Sequence, residues 1–306
     1  NDDGTALTGP APGFVNEAGQ DYHLVAGSAC VNSGTSLHAN VVPAHAVARQ
    51  YIKHRASEAR PNDAVFDLGA FEFQVNRPDT TGVFRPSNGA LFLKNSNSSG
   101  FADLLITYGI PGDIPVSGDW NGDGTDTIGV YRNGNFLLRN SNTNGFADIV
   151  VTFGAPGDLP VVGDWNSDGT DTVGVYRDGT FFLRNLNTSG SPDLVFTLGL
   201  PGDLPIAGDW NGDGTVTTGV FRPTNGALFL KNSNSTGFAD IVLTYGLPGD
   251  KPIIGDWDGD GVDTIGVYRD GTFHLRNSNT NGFAEIVFAL GVNGDVPIAG
   301  DWDGLP

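Results

Sequence analysis

An all-β chain folded as a five-bladed β-propeller with four-stranded blades is the class the sequence predicts, and three observations predict it. The triplet Gly-Asp-Trp recurs at Trp120, Trp165, Trp210, Trp257 and Trp302, with spacings of 45, 45, 47 and 45 residues, and uses every Trp in the chain. A period near 45 belongs to propeller blades or to a solenoid. Each unit holds four short apolar or β-branched runs bounded by Gly, Asn, Asp and Pro, as in "LPVVGDW" (159–165), "TVGVYR" (172–177), "TFFLRN" (180–185) and "DLVFTLG" (193–199). Four strands per unit favour the blade over the solenoid.

The elements follow in order. The run ending in Trp is rich in small residues, as the innermost strand must be where blades converge. The next strand is apolar on both faces because sheets stack on one another. The two extra residues in the 47-residue spacing sit in "RPTNGALFL", where other units read "RDGTFFL", and lengthen a hairpin turn. The third observation is an offset. The first "GVFR" strand (82–85) has no Gly-Asp-Trp before it, and the last Gly-Asp-Trp (300–302) has no strand after it. A C-terminal inner strand paired with residues 82–110 completes the fifth blade and hides the sheet edges. The alternative is an open array pairing with another chain.

Composition bounds the function. The 306 residues carry Asp plus Glu 35 against Lys plus Arg 16, a net charge of −19, which repels nucleic acid and anionic membrane. No apolar run reaches the ~20 residues of a membrane span, so membrane insertion is not expected. The single cysteine, Cys30, cannot close an internal disulfide and reads as a small buried residue. Abundant Gly, Asn, Thr and Asp, little Lys, no Met and an Asn at position 1 read as a processed, secreted protein, extracellular or at a cell surface.

The segment that begins at the Asp before each Trp has the order Asp, x, Asn/Asp, x, Asp, Gly, with the Trp as the first x. The candidate ligands are Asp119, Asn121 and Asp123; Asp164, Asn166 and Asp168; Asp209, Asn211 and Asp213; and Asp256, Asp258 and Asp260. Alternate oxygen-bearing side chains followed by Gly at a sharp turn suit a hard cation such as Ca²⁺. No helix or twelfth-position Glu follows, so the loop is not an EF-hand. The competing reading is an Asx-type turn in which the same side chains bond their own backbone.

These loops and their flanking strands, over residues 77–306, resemble FG-GAP or VCBS-type repeats, the blades of integrin-like propellers. The resemblance implies a Ca²⁺ loop between the first and second strands of each blade. The ninth loop position, typically Asp in that family, is here Thr127, Thr172, Thr217 and Thr264. The eighth is Asp126, Asp171 and Asp263, with Val216 in the third loop. The fifth loop, with Asp301 and Asp303, is expected to be the weakest site.

Residues 1–75 lie outside the repeat. "DYHLVAGSACVNSGT" (21–35) and "DLGAFEF" (67–73) are similar to the closing turns of bacterial parallel β-helix surface proteins. The resemblance implies a β-helix-like terminal segment over 1–75 before the propeller of 76–306. Too few rungs fit there to bury a core alone, so burial against a partner, the propeller or more of its own chain is expected. The basic stretch 44–60 with His45 and His54 reads as a solvated excursion.

Nothing resembles a nucleophile elbow, a zinc-ligand cluster or a phosphate-cradling loop, and every candidate carboxylate recurs in several blades. A non-catalytic structural or adhesion protein is therefore expected, with other protein chains, including copies of itself, as partners. The alternative is a lectin-like module of a larger carbohydrate-active β-helix protein, with glycans as partners. The five Trp read as inter-blade packing rather than sugar shelves. Arg85, Arg132, Arg177, Arg222 and Arg269 are expected to pair with neighbouring Asp. Asn97, Asn187 and Asn234 stand in glycosylation sequons on hairpins read as exposed turns.

Overall fold

A computed structural model of the chain describes residues 78–304 in full, together with the backbone of four short strands nearer the N-terminus. The chain divides into two compact units, residues 1–76 with Pro306 and residues 77–305. In the first unit, β1 (Phe14–Asn16) pairs antiparallel with β2 (Asp21–Leu24), and β3 (Arg49–Ile52) pairs antiparallel with β4 (Ala56–Ala59). The expected β-helix ending, Cys30, His45 and His54 lie outside the described residues.

The second unit consists of five four-stranded antiparallel sheets. Blade 1 holds β5 (Thr80–Arg85), β6 (Ala90–Leu93) and β7 (Leu104–Thr107). Blade 2 is β8 (Ile114–Gly118), β9 (Thr127–Arg132), β10 (Asn135–Leu138) and β11 (Ile149–Thr152). Blade 3 is β12 (Leu159–Gly163), β13 (Thr172–Arg177), β14 (Thr180–Leu183) and β15 (Leu194–Thr197). Blade 4 is β16 (Leu204–Gly208), β17 (Thr217–Arg222), β18 (Ala227–Leu230) and β19 (Ile241–Thr244). Blade 5 is β20 (Lys251–Gly255), β21 (Thr264–Arg269), β22 (Thr272–Leu275) and β23 (Ile286–Ala289).

The ring closes as the offset of the repeats predicts. β24 (Val296–Gly300) pairs with β5 in the register Val296↔Phe84, Ile298↔Gly82 and Gly300↔Thr80, and becomes the innermost strand of blade 1. Each inner strand carries Pro at its second position (Pro115, Pro160, Pro205, Pro252, Pro297). Proline lacks a ladder donor, and an inner strand has a neighbour on one side only.

Five hydrophobic clusters make the core, and each straddles one seam between blades. Trp120 packs with Val173 and Val175 of blade 3, Trp165 with Val220 of blade 4, and Trp210 with Ile265 and Val267 of blade 5. Trp257 meets Val83 of blade 1, and Trp302 meets Ile128 and Val130 of blade 2. The second strand of each blade is buried along nearly its whole length because a sheet lies against each face, whereas the outer strand buries only one residue fully. Outer edges are also covered. The amide of Thr107 donates to Asn144 Oδ1 of the next blade (2.8 Å), and Thr152, Thr197, Thr244 and Ala289 donate likewise to Ser189, Thr236, Asn281 and Ser99. A hairpin loop of one blade thus caps the strand edge of the preceding one.

Candidate functional site

The loops joining first and second strands are closed around their leading Asp. Asp119 Oδ1 accepts from the amides of Gly122 (2.8 Å) and Asp123 (3.1 Å), and Oδ2 from Gly124 (2.7 Å). Asn121 Nδ2 donates to Asp123 Oδ2 at 2.9 Å, and Asp123 Oδ1 accepts the Thr125 amide at 3.0 Å. Asp164, Asn166 and Asp168 repeat this pattern, as do Asp209, Asn211 and Asp213. The side chains at positions one, three and five therefore converge while also building an Asx-type turn. In these three loops the third-position amide bridges to a carboxylate through its nitrogen, so a cation there requires the amide to turn and present its oxygen.

The fourth loop differs by one residue. Asp258 replaces Asn, and the carboxylates of Asp256, Asp258 and Asp260 offer oxygens all within 4.8 Å of one another. Burial first, then the charges of Asp260 and Asp256, push the Asp258 carboxyl above its usual range. Asp256 still accepts the amides of Gly259, Asp260 and Gly261. Three converging carboxylates with no ammonium or guanidinium among them are a donor set that fits a hard divalent cation. In the fifth loop, Asp301 accepts the amides of Asp303 and Gly304 at 3.3 Å each.

Positions eight and nine face elsewhere. Thr127 is buried, and its hydroxyl donates to the Arg139 carbonyl at 2.7 Å, so the ninth position ties strands together rather than facing the loop. The eighth-position carboxylate serves the neighbouring blade. Asp171 Oδ2 accepts the Asp119 amide at 2.9 Å, Asp263 the Asp209 amide at 2.7 Å, Asp79 the Asp256 amide at 2.9 Å, and Asp126 the Asp301 amide at 2.8 Å. At the fifth equivalent position, Val216 keeps only the backbone bond, to Asp164 O. This packing explains the Gly of Gly-Asp-Trp: a Cβ on Gly118 would sit 2.8 Å from Asp171 Oδ2 and 3.1 Å from the Trp120 ring.

The four carboxylates form a set that repels itself. Burial first, then the charge of Asp263, hold the Asp79 carboxyl well above its usual range; for Asp126 the causes are burial, then Asp171 and Asp79. Burial chiefly pushes Asp171 up to about 7 and Asp263 to about 6, against the opposing pull of the amides they accept. Each sits among protein atoms on nearly every side, although some of its surface still meets water.

The predicted arginines pair within their own blades. Arg132 holds Asp113 through Nε and Nη2 at 2.6 and 2.7 Å, and Arg85, Arg177, Arg222 and Arg269 hold Asp295, Asp158, Asp203 and Asp250 in the same fork. The five Trp are 3–5% exposed, which leaves no ring face for a sugar to stack on. Among the described residues their indole N–H groups have no acceptor.

The rim holds what the sequence reading passed over. Phe101, Phe146, Phe238 and Phe283 occupy one repeat position in blades 1, 2, 4 and 5 and are 93–96% exposed. Their loops are fixed. Arg139 and Arg276 donate to the carbonyls of Phe146 and Phe283, and Asp103, Asp148, Asp240 and Glu285 each accept the amide of an Asn eight residues earlier. Blade 3 carries Ser191 at this position, held by the same kind of latch from Arg184. The signal was legible as "GFAD" or "GFAE" in four units and "GSPD" in one. The hairpins read as exposed turns also clamp the loop that leads into the second strand of their own blade. Asn97, Asn142, Asn187, Asn234 and Asn279 donate through Nδ2 to the carbonyls of Asp79, Asp126, Asp171, Val216 and Asp263. The three sequon amides are thus engaged with the carbonyls of Asp79, Asp171 and Val216, so a glycan on any of them would have to share that nitrogen.

No family model matches the chain, and no curated protein matches it. Among solved structures, the crystal structure of BBS1N in complex with ARL6DN, soaked with mercury, is similar over 67% of this chain, with a TM-score of 0.32 and 15% identity. The match spans 60% of the length of that chain.

Proposed function

We propose that this chain is a non-catalytic extracellular structural or adhesion protein whose propeller presents its rim to other protein chains, further copies of itself included. One observation carries the reading: an aromatic side chain more than nine-tenths exposed, on a latched loop, at the same place in four of five blades. Burying one Phe stabilises a contact by roughly 1.5–3 kcal/mol, and the latches mean little ordering entropy is lost when it docks. Surface aromatics in such a repeated display serve contact. The carboxylates support the non-catalytic reading, since those that lead the loops, those at the eighth position and those facing the five arginines each bond a backbone amide or an Arg. In this reading Ca²⁺ stabilises the loops, held best by Asp256, Asp258 and Asp260.

Light scattering on the full chain over a concentration series, with a glycan array in parallel, tests the proposal. Mass rising with concentration and a silent array support it. A chain that stays monomeric at every concentration while binding glycans overturns it in favour of the lectin reading, and loss of polysaccharide viscosity on incubation would revive an enzyme.

A further inference from the structure

The turn that leads into the closing strand differs from its four counterparts. Blades 2 to 5 are entered through Pro-Gly-Asp, at Pro111, Pro156, Pro201 and Pro248, whereas β24 is entered through Asn293, Gly294 and Asp295. The Asp295 amide donates to Val292 O at 3.1 Å and Gly294 has φ 95°, which makes a type II turn with Asn293 at the position that suits proline. This turn ties the ring shut. The Val292 amide donates to Asp295 Oδ2 at 3.0 Å, Tyr268 Oη to Val292 O at 3.0 Å and Lys251 Nζ to Asp295 O at 2.6 Å, while Asp295 receives the Arg85 fork from blade 1.

The chain has eight Asn-Gly pairs, and this one is the least restrained. Asn293 and Gly294 are exposed, and among the described residues nothing bonds the Asn293 side chain or the Gly294 amide. The others are held. Gly89 and Gly226 donate their amides to the carbonyls of Arg85 and Arg222, and Gly122 and Gly212 donate theirs to the carboxylates of Asp119 and Asp209. Asn144 and Asn281 accept amides from the outer strand of the preceding blade, and Asn133 is fixed in a tight hairpin turn with φ 48°.

Asn-Gly is the context in which a carboxamide reacts most readily with its own chain, because glycine puts no Cβ beside its nitrogen and turns freely. Gly294 N gives its proton to water and attacks Asn293 Cγ. The new C–N bond closes a succinimide ring as the Cγ–Nδ2 bond breaks and ammonia leaves; water then opens the ring at either carbonyl, giving aspartate or isoaspartate. The nitrogen faces Cγ only after rotation about the Asn293 backbone, and Gly294 is surrounded by open space, so that rotation meets no side chain.

We propose that Asn293 is a site of spontaneous deamidation and that its conversion loosens the closure of the ring. The product carboxylate stands two residues from Asp295 and repels the carboxylate that Arg85 holds. Isoaspartate also lengthens the backbone of a turn whose ends, Val292 and Asp295, bond each other.

The full chain is incubated in weakly alkaline buffer, folded and in urea, and its peptides are mapped by mass spectrometry with isoaspartate identified. In the folded chain Asn293 should be the first Asn-Gly pair to gain about one dalton, whereas in urea the pairs should convert together. The incubated native chain should lose melting temperature. Asn293→Pro, which restores the residue of the other four turns, should keep its own over the same time, and Asn293→Gln, whose longer side chain closes a ring far more slowly, gives the same reading should the proline variant fail to fold. Conversion of another pair before Asn293 in the folded chain, or a chain modified at Asn293 that melts as the fresh protein does, overturns the proposal.

Discussion

The axis and the rim come from the same repeat and end in opposite states. At the axis, blades crowd together, and the eighth-position carboxylate of one blade accepts the amide of the next loop, as Asp171 does from Asp119. At the rim, the blades diverge, and the phenylalanines that the repeat carries outward meet only water. The difference is geometric. A closed ring gives every inward group a neighbour of its own kind, so the repeat satisfies itself there. Among the described residues nothing packs on the rim phenylalanines, so those apolar groups are left for a partner.

Breaking the ring should have the largest effect. Without residues 296–306, blade 1 loses β24, and β5 loses the ladder from Val296 to Gly300 together with the burial of Ile298 and Trp302. Truncation should remove cooperative unfolding and cause aggregation, read by circular dichroism and gel filtration. A monomeric truncated chain of unchanged melting temperature would contradict closure by this strand.

At the seams, Trp210→Ala should lower stability in urea by about 3–5 kcal/mol, the cost of a large buried cavity. Because no described residue accepts the indole N–H, Trp210→Phe removes a donor without a protein partner along with some volume, and should cost roughly 1–2 kcal/mol. Equal losses would mean that the N–H is bonded after all.

Closer to the axis the readout is pH. Asp171 and Asp263 have folded values of about 7 and 6, raised above those of an unfolded chain. A raised carboxyl means the folded state holds more protons between the unfolded and folded values, so stability rises as pH falls through that window and is lower above it. In chelator, the melting temperature should rise on acidification from about pH 8 to about pH 5, a window bounded below by an ordinary carboxyl value near 4. Asp171→Asn can still accept the Asp119 amide, and should raise stability at neutral pH and flatten the profile. A native profile that falls steadily on acidification from pH 8 would refute the mutual repulsion.

Calcium should give a smaller, graded effect. Binding to the folded state alone stabilises it by about 2.7 kcal/mol when the ion is at 100 times its dissociation constant. Asp260→Ala should cost more of that gain than Asp123→Ala, because three carboxylates converge in the fourth loop and two in the first. Melting curves identical in chelator and in excess Ca²⁺ would remove the metal from the account.

Much of the axis was legible in the sequence, and little of the rim was. The blade count, the closing strand and the seam tryptophans followed from one triplet, because a residue that packs on its own repeat must recur with it. The eighth-position Asp misled: as a sequence it sits within a cation loop, and only the fold turns it to the next blade. The hairpins were read only as exposed turns, since "NSNTNG" is polar both as a turn and as a clamp whose Asn142 and Asn144 bond the backbone of their own and the preceding blade. The phenylalanine of "GFAD" drew no reading, because a repeat marks where a residue recurs and not whether its side chain turns inward or outward.

The central claim is that the rim contributes to association and not to folding, and one paired measurement tests it most directly. Melting temperature and sedimentation velocity are compared for the native chain and the variant with Ser at positions 101, 146, 238 and 283. Surface substitutions of this kind change stability by no more than about 0.5 kcal/mol each. The melting temperature should therefore stay within a few degrees while concentration-dependent growth disappears. A variant that loses its cooperative transition, or one that associates as the native chain does, would contradict the claim.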